Sequence, residues 1–442
     1  MHGLNIIRSR EEAIMNITTS LKPNRGLFSG VIRRLAIFLS VFGPATITAM
    51  ADNDAAGVAT YSVAGAKLGY PILFPLAIIT ILLAITQEMG VRLTIITRKG
   101  FADLIREKYG VKVSMFIFAS LFIANMGTII GNMSAIKMTS SMLNFPAIPF
   151  LIFVLTFTYL FVTKGNYKLT QNIMLIACLF YLTYVISAIK AKPDWGLALS
   201  NIAYPHGVAF TPDYLRAYLI IGMGVLGTTI TPWGQFFVSS FAFDKKIEAG
   251  KVKYSQVETY WGALLTDFFS FFMIVATAAT LFAHNIPLES GEQAALAIKP
   301  FAGDLAGTLF AIGILNAGFM GIVVVSLSTA YAFSEFFGVS GSLDTSYSQS
   351  KKFYILFLAQ LIIGALVMLL PRINLFRLAI YTQSLNAMTL PLVFYFLINL
   401  TSNKGLMKEY ANNAFQKYFA IIATIIIVIA SVMTLVIGIF NL

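Results

Sequence analysis

The sequence predicts an all-α integral membrane protein of about eleven transmembrane helices, and three observations carry that reading. Of its 442 residues 58% are hydrophobic and only 11% charged, whereas a soluble domain carries roughly 25% charged residues. The apolar residues fall in runs of about 20, the length that crosses a hydrocarbon core of ~30 Å. The cations, finally, are unevenly shared between alternate loops. A transmembrane β-barrel would show short alternating segments in place of these long blocks.

In chain order the candidate spans are 35–66, 71–91, 113–136, 146–163, 169–189, 215–242, 257–283, 305–334, 353–371, 375–400 and 414–441. The first, sixth and eighth are long, so each is expected to be broken, tilted or extended past the bilayer. Placing the N-terminus in the cytoplasm puts Arg33-Arg34, Arg98-Lys99, Lys245-Lys246 and Lys351-Lys352 inside. The outside then keeps scattered cations such as Lys67, Lys137, Lys190, Arg216, Lys299 and Arg372. Positive residues stay on the cytoplasmic side, which predicts N-in, C-out and an odd span count, with the cell membrane as location. Residues 1–34 lack a compact apolar stretch and cleavage site and are read as a cytoplasmic tail, not a signal peptide. The net charge of +12 is thereby a topology signal. No basic stretch is interleaved with aromatics as single-strand nucleic-acid binders require. The single cysteine, Cys178, excludes an intramolecular disulfide and reads as a small core hydrophobe.

Two spans are interrupted. In the first, Gly43-Pro44 precedes Asp52-Asn53-Asp54-Ala55-Ala56-Gly57; in the sixth, Gly222, Gly224 and Gly227 precede Thr228-Thr229-Ile230-Thr231-Pro232-Trp233-Gly234. Transporters often consist of repeats whose first helices break near the midplane, where unwound backbone and half-helix ends bind an ion. The two breaks lie five spans apart, and an odd repeat length forces the halves into opposite orientations. The expected organisation is a core at 35–400, built of repeats at 35–190 and 215–400, with a loop and eleventh helix at 401–442. This is the LeuT-type fold.

Ionisable residues inside a bilayer are expensive and are functional candidates by default. Asp52 and Asp54 sit in the first break, Glu88 late in span 2 and Asp267 mid-way along span 7. Two acids flanking Asn53 and facing Thr228, Thr229 and Thr231 gather hard oxygens, the donors that hard divalent cations take. A dication would offset two buried carboxylates better than sodium would. Glu88 beside Arg92 reads as a structural ion pair. Asp267 reads as a proton relay or a buried polar partner, without a choice between them. Asn125, Thr128 and Asn132 form a polar stripe on span 3, and Gln383 with Asn386 another on span 10. Each is either interhelical bonding or a site wall, and Gln383 joins the candidate metal residues. No Walker motif, Ser/His/Asp set or His cluster appears, and the loops are too short for a catalytic domain, so no enzyme is expected.

Gly43-Pro44, the run Asp52–Tyr61 and Ala64–Tyr70 resemble the first helix of NRAMP-type metal transporters. The resemblance continues through Gly227–Pro232 in span 6 and Thr389-Leu390-Pro391 in span 10. It implies a LeuT-type fold and import of divalent metals, usually manganese or iron with protons. The departures are informative. Gly57 stands at the family's ligand Asn, Thr231 at its metal-binding Met, Trp233 at the following His, and Asn125 and Thr128 at the acidic pair of span 3. This pattern is similar to the NRAMP-related magnesium transporters (NRMT). A hydroxyl in place of a thioether removes the bias towards softer metals. Mg²⁺ dehydrates reluctantly, and Ala55, Ala56 and Gly57 leave room for its waters, although Trp233 would fill part of it.

The expected metal residues are therefore Asp54, Asp52, Asn53, Gly57, Thr228, Thr231 and Gln383. The expected function is uptake of Mg²⁺ and Mn²⁺ by alternating access without obligatory proton coupling. The ion is cargo, with no further cofactor, nucleic acid or obligatory protein partner. The alternatives are a proton-coupled Mn²⁺/Fe²⁺ symporter and a sodium-coupled organic-solute transporter of the same fold.

Overall fold

Long apolar runs become helices in lipid because a helix satisfies its backbone hydrogen bonds internally. The chain, described at residues 27–286, 288, 303–368 and 375–440 by a computed structural model, follows that rule and contains no strand among those residues. Most of the expected tail at 1–34 lies outside them, as do Lys299 and Arg372. Ten helices are long and apolar enough to cross a membrane, or eleven if a bent N-terminal pair counts as one.

The helices are α1 (Leu27–Val41), α2 (Pro44–Ala51), α3 (Ala55–Leu68), α4 (Leu73–Thr97), α5 (Phe101–Tyr109), α6 (Val111–Met142), α7 (Ala147–Lys164), α8 (Tyr167–Leu179) and α9 (Leu182–Lys190). They continue as α10 (Trp195–Ala203), α11 (Pro212–Thr229), α12 (Pro232–Asp244), α13 (Val252–Thr280), α14 (Asp304–Phe337), α15 (Lys351–Met368), α16 (Leu375–Thr401) and α17 (Ala414–Phe440).

Both expected interruptions are present, one between α2 and α3 and one between α11 and α12. The eighth span is one unbroken 34-residue helix, α14, long enough to extend past the bilayer. Three features go beyond the sequence reading. Gly43 adopts φ 138°, a region open to glycine, and Pro44 starts α2 there; α1 bends 51° away, so α1 runs across the expected tail–core junction at 34/35. The fifth span is interrupted between α8 and α9. Short helices α5 and α10 occupy connecting loops.

Helices five spans apart pack in opposite directions. Thr60 and Thr48 of the first span lie beside Gly224 and Gly234 of the sixth, so the two broken spans cross antiparallel at their breaks. Thr80 and Glu88 of α4 face Asp267 and Gln256 of α13. Asn125 of α6 bonds Thr329 of α14 at 2.8 Å, while Asn132 lies at Gly321. These three antiparallel pairings are what an inverted repeat of five spans requires. Along the first span, α13 runs parallel and close: a Cβ on Gly65 would stand 2.2 Å from Thr277 Oγ1 and one on Gly262 3.0 Å from the Thr46 Cα. Small residues let such backbones approach, and packing rather than hydrophobicity holds helices together in lipid.

Candidate functional site

The two breaks begin new helices by the same device. Asp54 is the N-cap of α3, its Oδ1 accepting from the Gly57 N–H at 2.7 Å. Thr231 is the N-cap of α12, its Oγ1 accepting from the Gly234 N–H at 3.0 Å, with Pro232 in the first helical position. Side-chain caps satisfy amides that a helix start leaves orphaned, and proline fits the first position because its missing N–H would be unpaired there. The breaks thus follow from local residue chemistry.

The caps also bring the two breaks together. Thr231 Oγ1 donates to Asp52 Oδ1 at 2.7 Å, and Thr228 Oγ1 donates to the Asp52 carbonyl at 3.3 Å. Gly57 sits in the middle: a Cβ there would lie 2.4 Å from Thr228 Oγ1, 2.8 Å from the Asp52 carbonyl oxygen and 3.4 Å from Asp54 Oδ1. The Thr228 hydroxyl, the Asp52 carbonyl and Asp54 therefore converge on Gly57, where any side chain would collide with them, while the Asp52 carboxylate and the Thr231 hydroxyl meet at Gly234, whose Cβ would stand 3.2 Å from Asp52 Oδ1 and 2.7 Å from Thr231 Oγ1. Asp52 and Asp54 are each 1% exposed, a burial that costs several kcal/mol per charge unless compensated.

Compensation comes partly from residues the sequence reading did not assign. Gln87 of α4 donates to Asp52 Oδ2 at 3.3 Å. Asn132 of α6 donates to Asp54 Oδ2 at 2.9 Å and accepts from the Ala55 N–H at 2.8 Å. Asn132 lay on the noted polar stripe, so helical spacing was the available signal; Gln87 gave none beyond its polarity. Tyr181, at the interruption of the fifth span, donates its hydroxyl to the Asn53 carbonyl at 2.9 Å.

Asn53 takes a different position from its neighbours. Its Nδ2 donates to the Thr266 carbonyl and Oγ1 at 2.8 and 2.9 Å, and its Oδ1 accepts from Ser270 Oγ at 2.8 Å. Its side chain is spent on α13. Gln383 lies on α16 where that helix meets Gly227, and its Oε1 accepts from Asn386 at 2.9 Å; its Nε2 has no hydrogen-bond partner among the described residues. Trp233 is fully buried. Asn125 is used in the bond to Thr329, and Thr128 in a bond to the Ala124 carbonyl at 3.2 Å.

Glu88 makes the ion pair read from the sequence, with Arg92 Nε 2.6 Å from Oε1. Both oxygens of Asp267 are buried without a hydrogen-bond partner among the described residues.

The donor set at the two breaks is oxygen throughout: the Asp54 carboxylate, the Asp52 carbonyl and the Thr228 hydroxyl around Gly57, and the Asp52 carboxylate with the Thr231 hydroxyl around Gly234. No group of three or more His, Cys, Asp or Glu side chains that could hold a metal occurs among the described residues. A cation here would accordingly be held by two charges, neutral oxygens and water, which suits a hard dication that keeps part of its hydration. Thr231 Oγ1 donates to Asp52 and accepts from Gly234, and its second lone pair is left for such an ion.

Comparison with known proteins places this geometry. The model of the natural resistance-associated macrophage protein-like family, Nramp, matches residues 45–437. The divalent metal cation transporter MntH of Caldanaerobacter subterraneus is 22% identical over 424 residues, covering 92% of this chain and 94% of its own. The natural resistance-associated macrophage protein 2 homolog of Dictyostelium discoideum is 23% identical over 395 residues, covering 86% of this chain and 60% of its own. Among solved structures, the manganese transporter of Eremococcus coleocola in complex with an aromatic bis-isothiourea substituted compound aligns with a TM-score of 0.73 at 18% identity. That alignment covers 90% of this chain and 86% of the transporter. A Na⁺-coupled sialic acid symporter in its outward-open state gives 0.57 at 13% identity, covering 91% and 95%. The fold is the LeuT-type arrangement, the relatives are transporters rather than enzymes, and, matched over nearly its whole length, the chain belongs to the Nramp family.

Proposed function

We propose that this protein carries divalent cations, Mg²⁺ and Mn²⁺, across the cell membrane by alternating access at the crossing of its two broken spans, without obligatory proton coupling. The observation that carries this reading is the all-oxygen lining of the two crossed breaks, at Gly57 and at Gly234. Asp54 supplies the main charge, Asp52 the second, and Thr228 and Thr231 bind directly or through water. Asn53 is reassigned from ligand to clamp, because both ends of its amide are held by α13. The relatives named as divalent metal and manganese transporters support the cargo class. The absence of a thioether at Thr231 supports extending it to Mg²⁺. An organic solute carried by its carboxylate fits less well, since such substrates seat on half-helix N-termini, and here Asp54 and Thr231 already cap them. The lysine and arginine distribution supports an inside N-terminus and an outside C-terminus.

The test is uptake into proteoliposomes, reading Mg²⁺, Mn²⁺ and internal pH in parallel. Both metals should enter while the lumen pH holds steady, and Asp54→Ala, checked for folding by size-exclusion profile, should lower uptake about a hundredfold, the loss of a charged ligand in a low-dielectric site. Unchanged uptake by folded Asp54→Ala sinks the site assignment. Mn²⁺ entry that excludes Mg²⁺ and acidifies the lumen establishes the proton-coupled symporter instead.

A further inference from the structure

A second, unrelated cavity ends on the remaining buried acid. Between α4, α10 and α13 lies a space of about 400 Å³, lined by Thr80, Trp195, Leu199, Leu264, Asp267 and Phe271 among others. Asp267 is the sole charged group in that lining and is 6% exposed. Its mouth is on the outer surface of the bundle, where Leu199 and Leu264 are 57% and 58% exposed, so it faces the membrane interior and not the crossing of the broken spans.

Neither oxygen of Asp267 has a hydrogen-bond partner among the described residues, and the Thr80 and Ser270 hydroxyls that stand against it have given their protons elsewhere. Thr80 Oγ1 donates to the Leu76 carbonyl at 2.8 Å, and Ser270 Oγ donates to Asn53 Oδ1 at 2.8 Å. A buried carboxylate without donors or a counter-charge is strongly unfavourable, so the cavity is chemically incomplete. A bare metal ion does not complete it, because one carboxylate in an apolar wall replaces too few of the oxygens that a hydrated dication holds. An ammonium on an apolar body does. It brings N–H donors to the carboxylate, its body fills aromatic and aliphatic surface, and Trp195 and Phe271 in the lining are the kind of ring that attracts a cation.

We propose that this cavity is a second cation site, separate from the Asp52–Asp54 centre, that takes an organic ammonium with an aromatic or alkyl body entering from the membrane. Its occupancy is felt at the transport site. Thr266 and Ser270, which clamp Asn53 in the first break, flank Asp267 on α13. A wedge between α4 and α13 therefore restrains the segment that must hinge, and slows transport without contesting the metal. The site itself stands whatever the cargo is.

The probe is 4-phenylbutylammonium, with 4-phenylbutanol as its uncharged counterpart, titrated calorimetrically against the full-length protein in nanodiscs, with empty nanodiscs subtracted. The ammonium should bind at one saturable site. The alcohol, and the ammonium on Asp267→Asn, should bind about tenfold or more weakly, as expected for loss of a charge-assisted hydrogen bond. Leu199→Trp, which fills the cavity and keeps the carboxylate, should also abolish binding. In proteoliposomes the ammonium should lower the maximal rate of metal uptake and leave half-saturation unchanged. Equal binding of alcohol and ammonium would mean the space merely holds apolar chains, and overturns the proposal. So would wild-type affinity in folded Asp267→Asn or Leu199→Trp, or inhibition that extra metal relieves, which would put the amine at Asp52 and Asp54.

Discussion

Thr231 caps α12 and hydrogen-bonds Asp52, and its hydroxyl keeps a second lone pair. Thr231→Met replaces a hard oxygen with a polarisable sulfur, which favours Mn²⁺ over Mg²⁺. The Mn²⁺/Mg²⁺ uptake ratio should rise about tenfold, the equivalent of one ligand preference of ~1.4 kcal/mol. The lost cap should lower stability by about 1 kcal/mol. Competitive uptake of the two metals and thermal unfolding of the variant check both effects. At this scale the sequence was readable where chemistry is local. Asp54 and Thr231 declare themselves by standing before Ala-Ala-Gly57 and Pro-Trp-Gly234, each a cap three residues ahead of a glycine. Asn132, Gln87 and Tyr181 did not, because a polar residue on a helix says nothing of which neighbour it meets. The partner of Asn132 is 78 positions away. Asn53 misled for a related reason: flanked by two acids it looked like a third ligand, but alternate residues in an unwound turn point apart, and its amide goes to α13.

Among the elements, α4 carries one buried ion pair within itself, and the same two side chains tie it to α13 and α17. Arg92 grips both oxygens of Glu88, at 2.6 and 3.0 Å. Gln256 of α13 and Gln416 of α17 donate to the same carboxylate at 2.8 and 3.0 Å, and Arg92 reaches on to Asn412 and the Tyr410 carbonyl. Removing one member of a buried pair leaves the other uncompensated, a loss of about 3–5 kcal/mol. Arg92→Met should be destabilised by that amount, and Glu88→Leu/Arg92→Met should recover much of it. Thermal unfolding of the two single variants and the double in detergent closes the cycle, and simple additivity would show the pair to be uncoupled. The pair was legible from its i, i+4 spacing, whereas the reach to α17 was not. Span positions were legible from apolar runs and both breaks from Gly, Pro and Asp punctuation. For the eighth span length left a break, a tilt and an extension open, and α14 takes the last, continuous over 34 residues. The bend at Gly43 was not legible, where the expected break lay further along.

For the whole molecule, the proposed ion site is closed to water, with Asp52, Asp54, Thr228 and Thr231 at most 2% exposed. One end is latched by Glu335 of α14, whose carboxylate accepts from Ser240 Oγ of α12 at 2.5 Å and from the Ala102 N–H of α5 at 3.0 Å. Thr94 and Ser239 join α4 to α12 beside it. Opening that end requires these bonds to part. Glu335→Ala should shift the population towards the open form by about tenfold for each ~1.4 kcal/mol removed. With Cys178→Ser as background, Ala242→Cys should react with a polar maleimide roughly that much faster when Glu335→Ala is added. An unchanged labelling rate would show that the latch lies elsewhere. The antiparallel packing of spans five apart reached this level from the sequence through parity alone; the latch needed coordinates. One feature of the closed form bears on the working cycle. Asp54 caps α3 through Gly57 and is braced by Asn132, so its charge is answered by the helix start even when no ion is present. A carrier that takes nothing back must reset with an empty site, and a carboxylate neutralised only by its cargo would stall that return stroke. The first break lends the helix terminus as a standing counter-charge that answers Asp54 in the vacant site.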